Sequence, residues 1–415
     1  MKKLLPILFV LIITSCSKEI PSDQLVERNG IYYEVNSQTG FTGTSISYYE
    51  NGQLKEKITF TNGELDGSME SYFENGQLQN KGTNKNGVLD GPGEVYFIDG
   101  QLRVKSNFKN DELDGPSERY YPNGLLSSKG TYKNGELDGL SEEYYESGQV
   151  KEKSNYKDGF LDGPSETYFD NGQLETKGNY KDNELDGLND SYHKNGQLEF
   201  SGNFRNGELE GIFKIFSENG YLESESITEG GVEISLTRYS YYSNNTLHTK
   251  TNFKEEKKHG PSETYFENGQ LKKKQHFIKG KQEGYSKQYY EDGQLWIKSN
   301  FKNGELEGSY KVYWEDGQPS TESFYVDGNL EGVFLRYSNN GHLIFRINYH
   351  QGKKEGLYEY YRSDGSLGSK TYYKDDERDG ILRSYIMDGK ETSFSPECYK
   401  RGKKVSMSLC TLLTD

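Results

Sequence analysis

Glycine returns every 24 residues through most of this chain, and that period constrains the fold more than any other feature. Gly43, Gly67, Gly91, Gly115, Gly139, Gly163, Gly187 and Gly211 are evenly spaced at 24. Gly260, Gly284, Gly308, Gly332, Gly356 and Gly380 repeat the same step. The gap from Gly211 to Gly260 is 49, two units plus one residue, so the chain holds about fifteen units. A period of roughly 20–50 residues marks a repeat architecture, in which each unit buries its apolar face only against its neighbours.

Composition says which kind of unit this is. The chain has 415 residues, of which 48 are Gly and none is Ala. Ala is the best helix former and Gly nearly the worst, so a helical repeat is excluded. Only 31% of residues are hydrophobic and the net charge is −15, a balance that by itself suggests disorder. The 35 Tyr and 20 Phe argue against that, because disordered chains are poor in aromatics. Length suggests two or three domains; the period replaces them with one all-β array.

Within a unit, Asn-Gly recurs at two places, as in Asn75-Gly76 and Asn303-Gly304. Asn-Gly between apolar residues signals a two-residue type I′ hairpin, because both central residues need positive φ. With that turn at Asn75-Gly76, Phe73 faces Leu78, Tyr72 faces Gln79 and Glu70 faces Lys81. The acid–base match recurs as Glu94 with Lys105, Glu118 with Lys129, Glu142 with Lys153, Glu166 with Lys177 and Glu263 with Lys274. Such cross-strand pairs contribute ~0.2–1 kcal/mol each. The second turn sets Phe60 against Leu65 and Phe301 against Leu306. The expectation is an elongated, solenoid-like array of antiparallel β-hairpins, a meander of about thirty strands.

Side-chain alternation assigns faces. One face takes the second aromatic of the unit (Phe73), the turn leucines and the small residues near the corner. The other takes Glu, Lys and a tyrosine that recurs as Tyr72, Tyr96, Tyr120, Tyr144, Tyr168, Tyr265, Tyr289 and Tyr313. Tyrosine has an apolar ring and a polar tip, which suits a half-wet face. This row is the candidate binding surface, for stacking on sugar rings or for a protein interface; packing for stability alone is the alternative.

Tyr-Phe-Glu-Asn-Gly-Gln-Leu followed by Lys-Gly-x-Tyr-Lys-x-Gly-x-Leu-Asp-Gly resembles the MORN-repeat variant over about residues 41–395. That variant occurs in YwqK-type antitoxin components of toxin–antitoxin systems and in many exported bacterial lipoproteins. The resemblance implies an elongated β-hairpin array used for protein or membrane contact, with no catalytic site. An antitoxin that neutralises a partner toxin fits poorly beside an export signal.

Such a signal opens the chain. Lys2 and Lys3 precede the apolar run Leu4 to Ile13, too short to span a bilayer and of signal-peptide length. Ile13-Thr14-Ser15-Cys16 resembles a lipobox, so residues 1–15 are expected to be removed and Cys16 to carry lipid. Several acyl chains anchor stably where one is marginal. The address is then the cell envelope, on the outer membrane where Ser17 permits it, facing periplasm or surface. Losing Lys2 and Lys3 leaves a net charge of −17. That balance disfavours nucleic acid and anionic lipid as the main partner. Cys398 and Cys410 form either a small terminal disulfide or two buried thiols.

Residues 16–40 are expected to form a tether and N-terminal cap. Residues 41–211 form a first repeat array, 212–259 a degenerate stretch or joint, 260–389 a second array and 390–415 a C-terminal cap. Lys400, Arg401, Lys403 and Lys404 suit the blunting of a strand edge. No phosphate-binding glycine loop or nucleophile elbow occurs, and the six histidines are scattered away from metal-ligand partners. Corner acids such as Glu112 and Asp114 recur too evenly to mark one catalytic pair, and Asp before Gly is ordinary turn chemistry. The expectation is a non-catalytic, monomeric scaffold without metal or cofactor, binding a protein or an envelope glycan. An enzyme acting on glycans is the weakest of the three functional classes.

Overall fold

The computed structural model describes residues 18–386, 390 and 395–410. Residues 1–17 lie outside that range, and with them Cys16 and the whole export signal. The described chain is β throughout, apart from one-turn 3-10 segments at Ser22–Gln24 and Met407–Leu409. Two compact units divide it. Of the described residues, one comprises those from 18 to 209 with 218–220, and the other those in 210–217 and from 221 to 410.

In the first unit the strands pair antiparallel in chain order. Gly43–Tyr48 pairs with Leu54–Thr61, which pairs with Glu64–Tyr72, which pairs with Leu78–Lys85, and so on to Leu198–Arg205. The Asn-Gly turns drive this, and they are of two kinds. At the second turn of the unit both residues take positive φ: 53° and 88° at Asn62-Gly63, 50° and 86° at Asn134-Gly135. These are the expected two-residue turns, and Phe60 faces Leu65 across one of them. In the second unit Phe301 faces Leu306 in the same way.

The first turn departs from the expectation. At Asn75-Gly76 the glycine alone has positive φ, 81°. The Gly76 N–H donates to the Phe73 carbonyl and the Phe73 N–H to the Gln77 carbonyl, both at 2.8 Å. This is a type I turn closed by a left-handed glycine, one residue longer than a type I′ loop. The extra residue pairs Tyr72 with Leu78 instead of Gln79 and takes Phe73 out of the ladder. Directly opposed residues project from the same side, so Leu78 joins the tyrosine face, not the face of Phe73. The asparagine side chain explains the choice. Asn75 Oδ1 accepts from the Gln77 N–H at 3.0 Å, while Nδ2 donates to the Ile98 carbonyl one repeat further on at 2.9 Å. Asn123 and Asn171 do the same with Glu146 and Lys194. Each such turn is thereby tied to the next.

A second bulge sits at the Asp-Gly corner. Ser106 faces Ser117 and Phe108 faces Leu113, so the single Asn107 stands against Asp114, Gly115 and Pro116. In the second unit this bulge shrinks where the period slips. Ile227 faces Ser235 and Thr228 faces Glu233, which leaves only Ile234 extra. Residues 212–259 are otherwise ordinary ladder: Leu222–Glu229 pairs with Val232–Tyr241, and that strand with Leu247–Lys254.

Packing between the edge rows is done by small polar residues. Ser106 and Ser117 hydroxyls meet at 2.6 Å, Ser154 and Ser165 at 2.8 Å, Thr251 and Ser262 at 3.0 Å. Ser154 is 1% exposed, and the paired hydroxyls satisfy one another, as buried polar groups must. A conventional apolar cluster occurs at the N-terminal end. Glu19–Pro21 adds to Gly43–Tyr48 as a parallel strand, and Ile20, Phe41 and Phe60 pack with Leu25, Tyr32, Ile58 and Leu65. At the other end Glu397–Lys400 pairs with Gly380–Ser384 and turns back through Arg401-Gly402 into Lys403–Val405. Cys398 and Cys410 are joined by a disulfide, with Cα atoms 5.8 Å apart.

Candidate binding face

The register places one charged residue per strand in a single row across the first unit. From Lys57 through Glu70, Lys81, Glu94 and Lys105 to Glu118, each faces the next. The row continues through Lys129, Glu142, Lys153, Glu166 and Lys177 to Asp190, and its sign alternates at every step. The acid–base pairs expected within hairpins are therefore also pairs between hairpins. Glu142 shows both: it ion-pairs with Lys129 of the preceding hairpin and with Lys153 of its own, the latter at 3.7 Å. Glu166 meets Lys177 at 3.2 Å and, in the second unit, Glu263 meets Lys274 at 2.8 Å.

The tyrosine row is tied to this ladder. Tyr72, Tyr96, Tyr120, Tyr144, Tyr168 and Tyr265 each donate their hydroxyl to the glutamate two residues earlier, at 2.6–2.8 Å. All eight candidate tyrosines are half-buried. They occupy every second strand, roughly 10 Å apart. Each is opposed by the residue after the turn on the next strand, as Leu78, Leu126 and Leu174 oppose Tyr72, Tyr120 and Tyr168, and lysine amines reach toward some rings. Lys129 Nζ, for example, lies 6.0 Å from the centre of the Tyr144 ring. The Glu94, Glu118 and Glu166 hydrogen bonds, followed by burial, push the Tyr96, Tyr120 and Tyr168 phenols up to about 12. For Tyr72 and Tyr265 burial is the larger cause, with the same result of about 12.

Tyr289 and Tyr313 differ. The residue two before each is lysine, Lys287 and Lys311, in place of glutamate. The row in that part of the second unit runs Lys274, Lys287, Lys298, Lys311, four cations facing one another in turn. Sequence reasoning followed the glutamates that matched and passed over these units. The signal was present, because Lys287 and Lys311 stand at the glutamate position of their repeats.

Corner acids of the second unit serve the backbone. Glu283 Oε2 accepts from the Asn303 N–H at 2.8 Å, Glu307 Oε2 from the Asp327 N–H at 2.9 Å and Glu331 Oε2 from the Gln351 N–H at 2.9 Å. Among the described residues no three metal-ligating side chains converge, and no helix is long and apolar enough to cross a membrane. Two shallow hollows mark the sheet. One, of about 530 Å³, is lined by Phe266, Lys272, Tyr289, Tyr290 and Trp296 in the second unit. The other, of about 360 Å³, is lined by Met69, Leu89, Val104 and Phe108 in the first, where Gly82 and Gly93 leave room.

The model of the MORN repeat variant matches nine segments of this chain: 41–62, 65–86, 113–134, 137–158, 161–182, 258–279, 282–303, 306–327 and 330–351. The chain carries nine MORN-variant repeats. Each matched MORN-variant segment begins near the corner glycine or the leucine before it and ends at the second turn. No curated protein matches the sequence. Among solved structures, the TcdB2–TccC3 complex matches at 11% identity, over 88% of this chain and 27% of that one, with a TM-score of 0.19. The Photorhabdus luminescens Tc holotoxin pore matches at 12% identity over 86% and 26%, with a TM-score of 0.18. A porin-like protein from Bacteroides uniformis matches at 10% identity over 58% and 92%, with a TM-score of 0.15. This MORN-variant chain spans about a quarter of the length of the toxin-complex chains. At such TM-scores neither fold nor activity is carried over.

Proposed function

We propose that this MORN-variant chain is a non-catalytic binding scaffold of the cell envelope, held at a membrane by lipid on Cys16 and presenting its tyrosine face to a protein or glycan. One observation carries the binding part. Six tyrosines repeat with the same hydroxyl-to-glutamate bond, so their rings are fixed in orientation before any ligand arrives. Pre-ordered aromatic area lowers the entropic cost of association. The ladder supports the non-catalytic part, because its glutamates from Glu70 to Glu166 are each engaged by a tyrosine hydroxyl and are repeated rather than gathered at one place.

The binding test is a glycan array together with affinity capture from envelope extracts, using the chain and a Tyr120→Ala/Tyr144→Ala/Tyr168→Ala variant. Binding that the triple variant loses, while it still melts cooperatively, is expected. Equal binding by both would sink the tyrosine assignment. Capture of one stoichiometric toxin would move the reading to an antitoxin-like neutraliser. Hydrolysis of a bound glycan would overturn the non-catalytic assignment. For the anchor, mass spectrometry of the mature N-terminus should find an acylated Cys16; a chain still beginning at Met1 rules it out.

A further inference from the structure

Like charges directly opposed across strands are destabilising, and the first unit avoids them at every step of its row from Lys57 to Asp190. The second unit holds four in succession: Lys274 faces Lys287, Lys287 faces Lys298, and Lys298 faces Lys311. The two ends are compensated, Lys274 by Glu263 and Lys311 by Glu322, both at 2.8 Å. The middle two are not: Lys287 and Lys298 are exposed and have a lysine on either side. Residues 247–311 carry thirteen lysines against nine acids, inside a chain of net charge −15. The ladder would be more stable with glutamate at Lys287, as at Glu263 and Glu359 in their repeats, so this lysine works against the fold.

The geometry points to a binding site for a linear acidic polysaccharide along this row. This rests on the scaffold reading above and names its ligand. Four ammonium groups, one per strand, form a line of roughly 15 Å. A line does not enclose a small anion, whereas it matches a polymer with charges repeated along its length. Aromatic area flanks the line. Tyr285 is 69% exposed and has Lys298 Nζ 5.7 Å from its ring centre. Tyr289 and Tyr313 are half-buried and, with lysine at the preceding glutamate position, are spared the bond that ties down the other tyrosines. Their hydroxyls and ring faces suit sugar hydroxyls and sugar faces. A polynucleotide has a far denser charge, which the acidic remainder of the chain repels. A sugar polymer with one carboxylate per residue suffers less from that field.

The test uses the full chain in detergent, with polygalacturonate as probe and dextran, oligo-dT and phosphatidylglycerol vesicles as comparisons. The chain should bind polygalacturonate and not dextran at this row, with affinity falling steeply as salt rises to about 1 M and shortens the screening length. The Lys287→Glu variant makes the row alternate from Lys274 to Lys298 and leaves the Lys311–Glu322 pair in place, so it should bind roughly tenfold more weakly or worse and melt at the same or a higher temperature. A Lys287→Gln/Lys298→Gln variant gives the same loss without introducing acid. Failure of the chain to bind polygalacturonate, or binding by both variants as tight as that of the unaltered chain, overturns the proposal. So does a drop in melting temperature in the glutamate variant, which would make Lys287 structural. Oligo-dT or vesicle binding that depends on Lys287 and Lys298, with polygalacturonate ignored, also overturns it. A protein or neutral glycan still bound through the first unit's tyrosines in those cases would leave the scaffold reading intact.

Discussion

The Tyr168 hydroxyl donates a 2.6 Å hydrogen bond to Glu166 Oε2, two residues earlier on the same strand. The bond pushes the Tyr168 phenol up to about 12, with burial adding to it, against about 10 in an unfolded chain. A folded-state pKa above the unfolded one gives stability that is fully present below pH ~10 and is lost as pH rises through ~12. Tyr72, Tyr96, Tyr120 and Tyr265 are shifted alike, to about 12, so their effects add. Alkaline unfolding followed by circular dichroism should set in above pH ~10 and run with tyrosinate absorbance. Glu166→Gln should lower the Tyr168 titration. A folded chain whose tyrosines all ionise near 10 would contradict this. At the acid end the Tyr168 hydrogen bond, with Lys177, holds the Glu166 carboxyl below its ordinary value. That contribution is present above the ordinary carboxylate range and lost as pH falls through the lowered value.

Glu142 is 8% exposed and takes Lys129, Lys153 and the Tyr144 hydroxyl together. Glu142→Ala leaves two lysines facing each other's charge and a hydroxyl without its acceptor. We expect a loss of about 1–3 kcal/mol in urea unfolding. The exposed Lys151–Glu143 pair, at 3.2 Å, should give less than about 1 kcal/mol when broken by Glu143→Ala. Equal costs for the two would show that burial of the ladder is unimportant.

Gly63 and Gly135 sit at the same place in their turns, with φ of 88° and 86°. A Cβ on Gly135 meets nothing within 4 Å, whereas one on Gly63 runs into Ile31 Cγ2 and lies 2.8 Å from the Tyr32 carbonyl. Gly135→Ala should cost about 1–2 kcal/mol, the price of a left-handed alanine. Gly63→Ala should cost more, about 3 kcal/mol or above, because it also wedges the N-terminal hairpin Leu25–Arg28/Ile31–Glu34 off the sheet. Melting temperatures of the two variants in one buffer decide the order.

Cys398–Cys410 closes a loop of 12 residues and holds the hairpin that covers the Gly380–Ser384 strand. Reduction, or Cys410→Ser, should cost that cap roughly 2–3 kcal/mol. The exposed strand edge then favours self-association. Limited proteolysis should cut first near residues 395–410, and light scattering should rise on reduction. An unchanged cleavage pattern would mean that the hairpin docks without the bond.

Much of this was legible in the sequence because a repeat states its rule many times. The glycine period, the Glu70–Lys81 register and the Phe60–Leu65 clamp follow from turn chemistry and alternation alone. The first turn was misread at Asn75-Gly76. Local propensity favours two left-handed residues there, whereas the Asn75 side chain gains a bond to Ile98, a partner that exists only once the next repeat is in place. The same limit hid the Glu–Lys row. Pairs within a hairpin are set by its own turn, but the contact of Lys129 with Glu142 depends on how one hairpin lies against the next.

By itself the sequence determined the unit: all-β, 24 residues, two turns, a tyrosine and an acid on one face. Tertiary structure decided what the units make when laid side by side. It converted separate ion pairs into a row that alternates through one compact unit and breaks into four lysines in the other. It also fixed the tyrosine hydroxyls onto glutamates, and it drew Cys398 to Cys410. The physical reason is the range of the forces involved. Turn preferences act over a few bonds and are written in adjacent residues, whereas charge opposition and side-chain hydrogen bonding act across strands about 4.8 Å apart, whose order and register exist only in the folded chain.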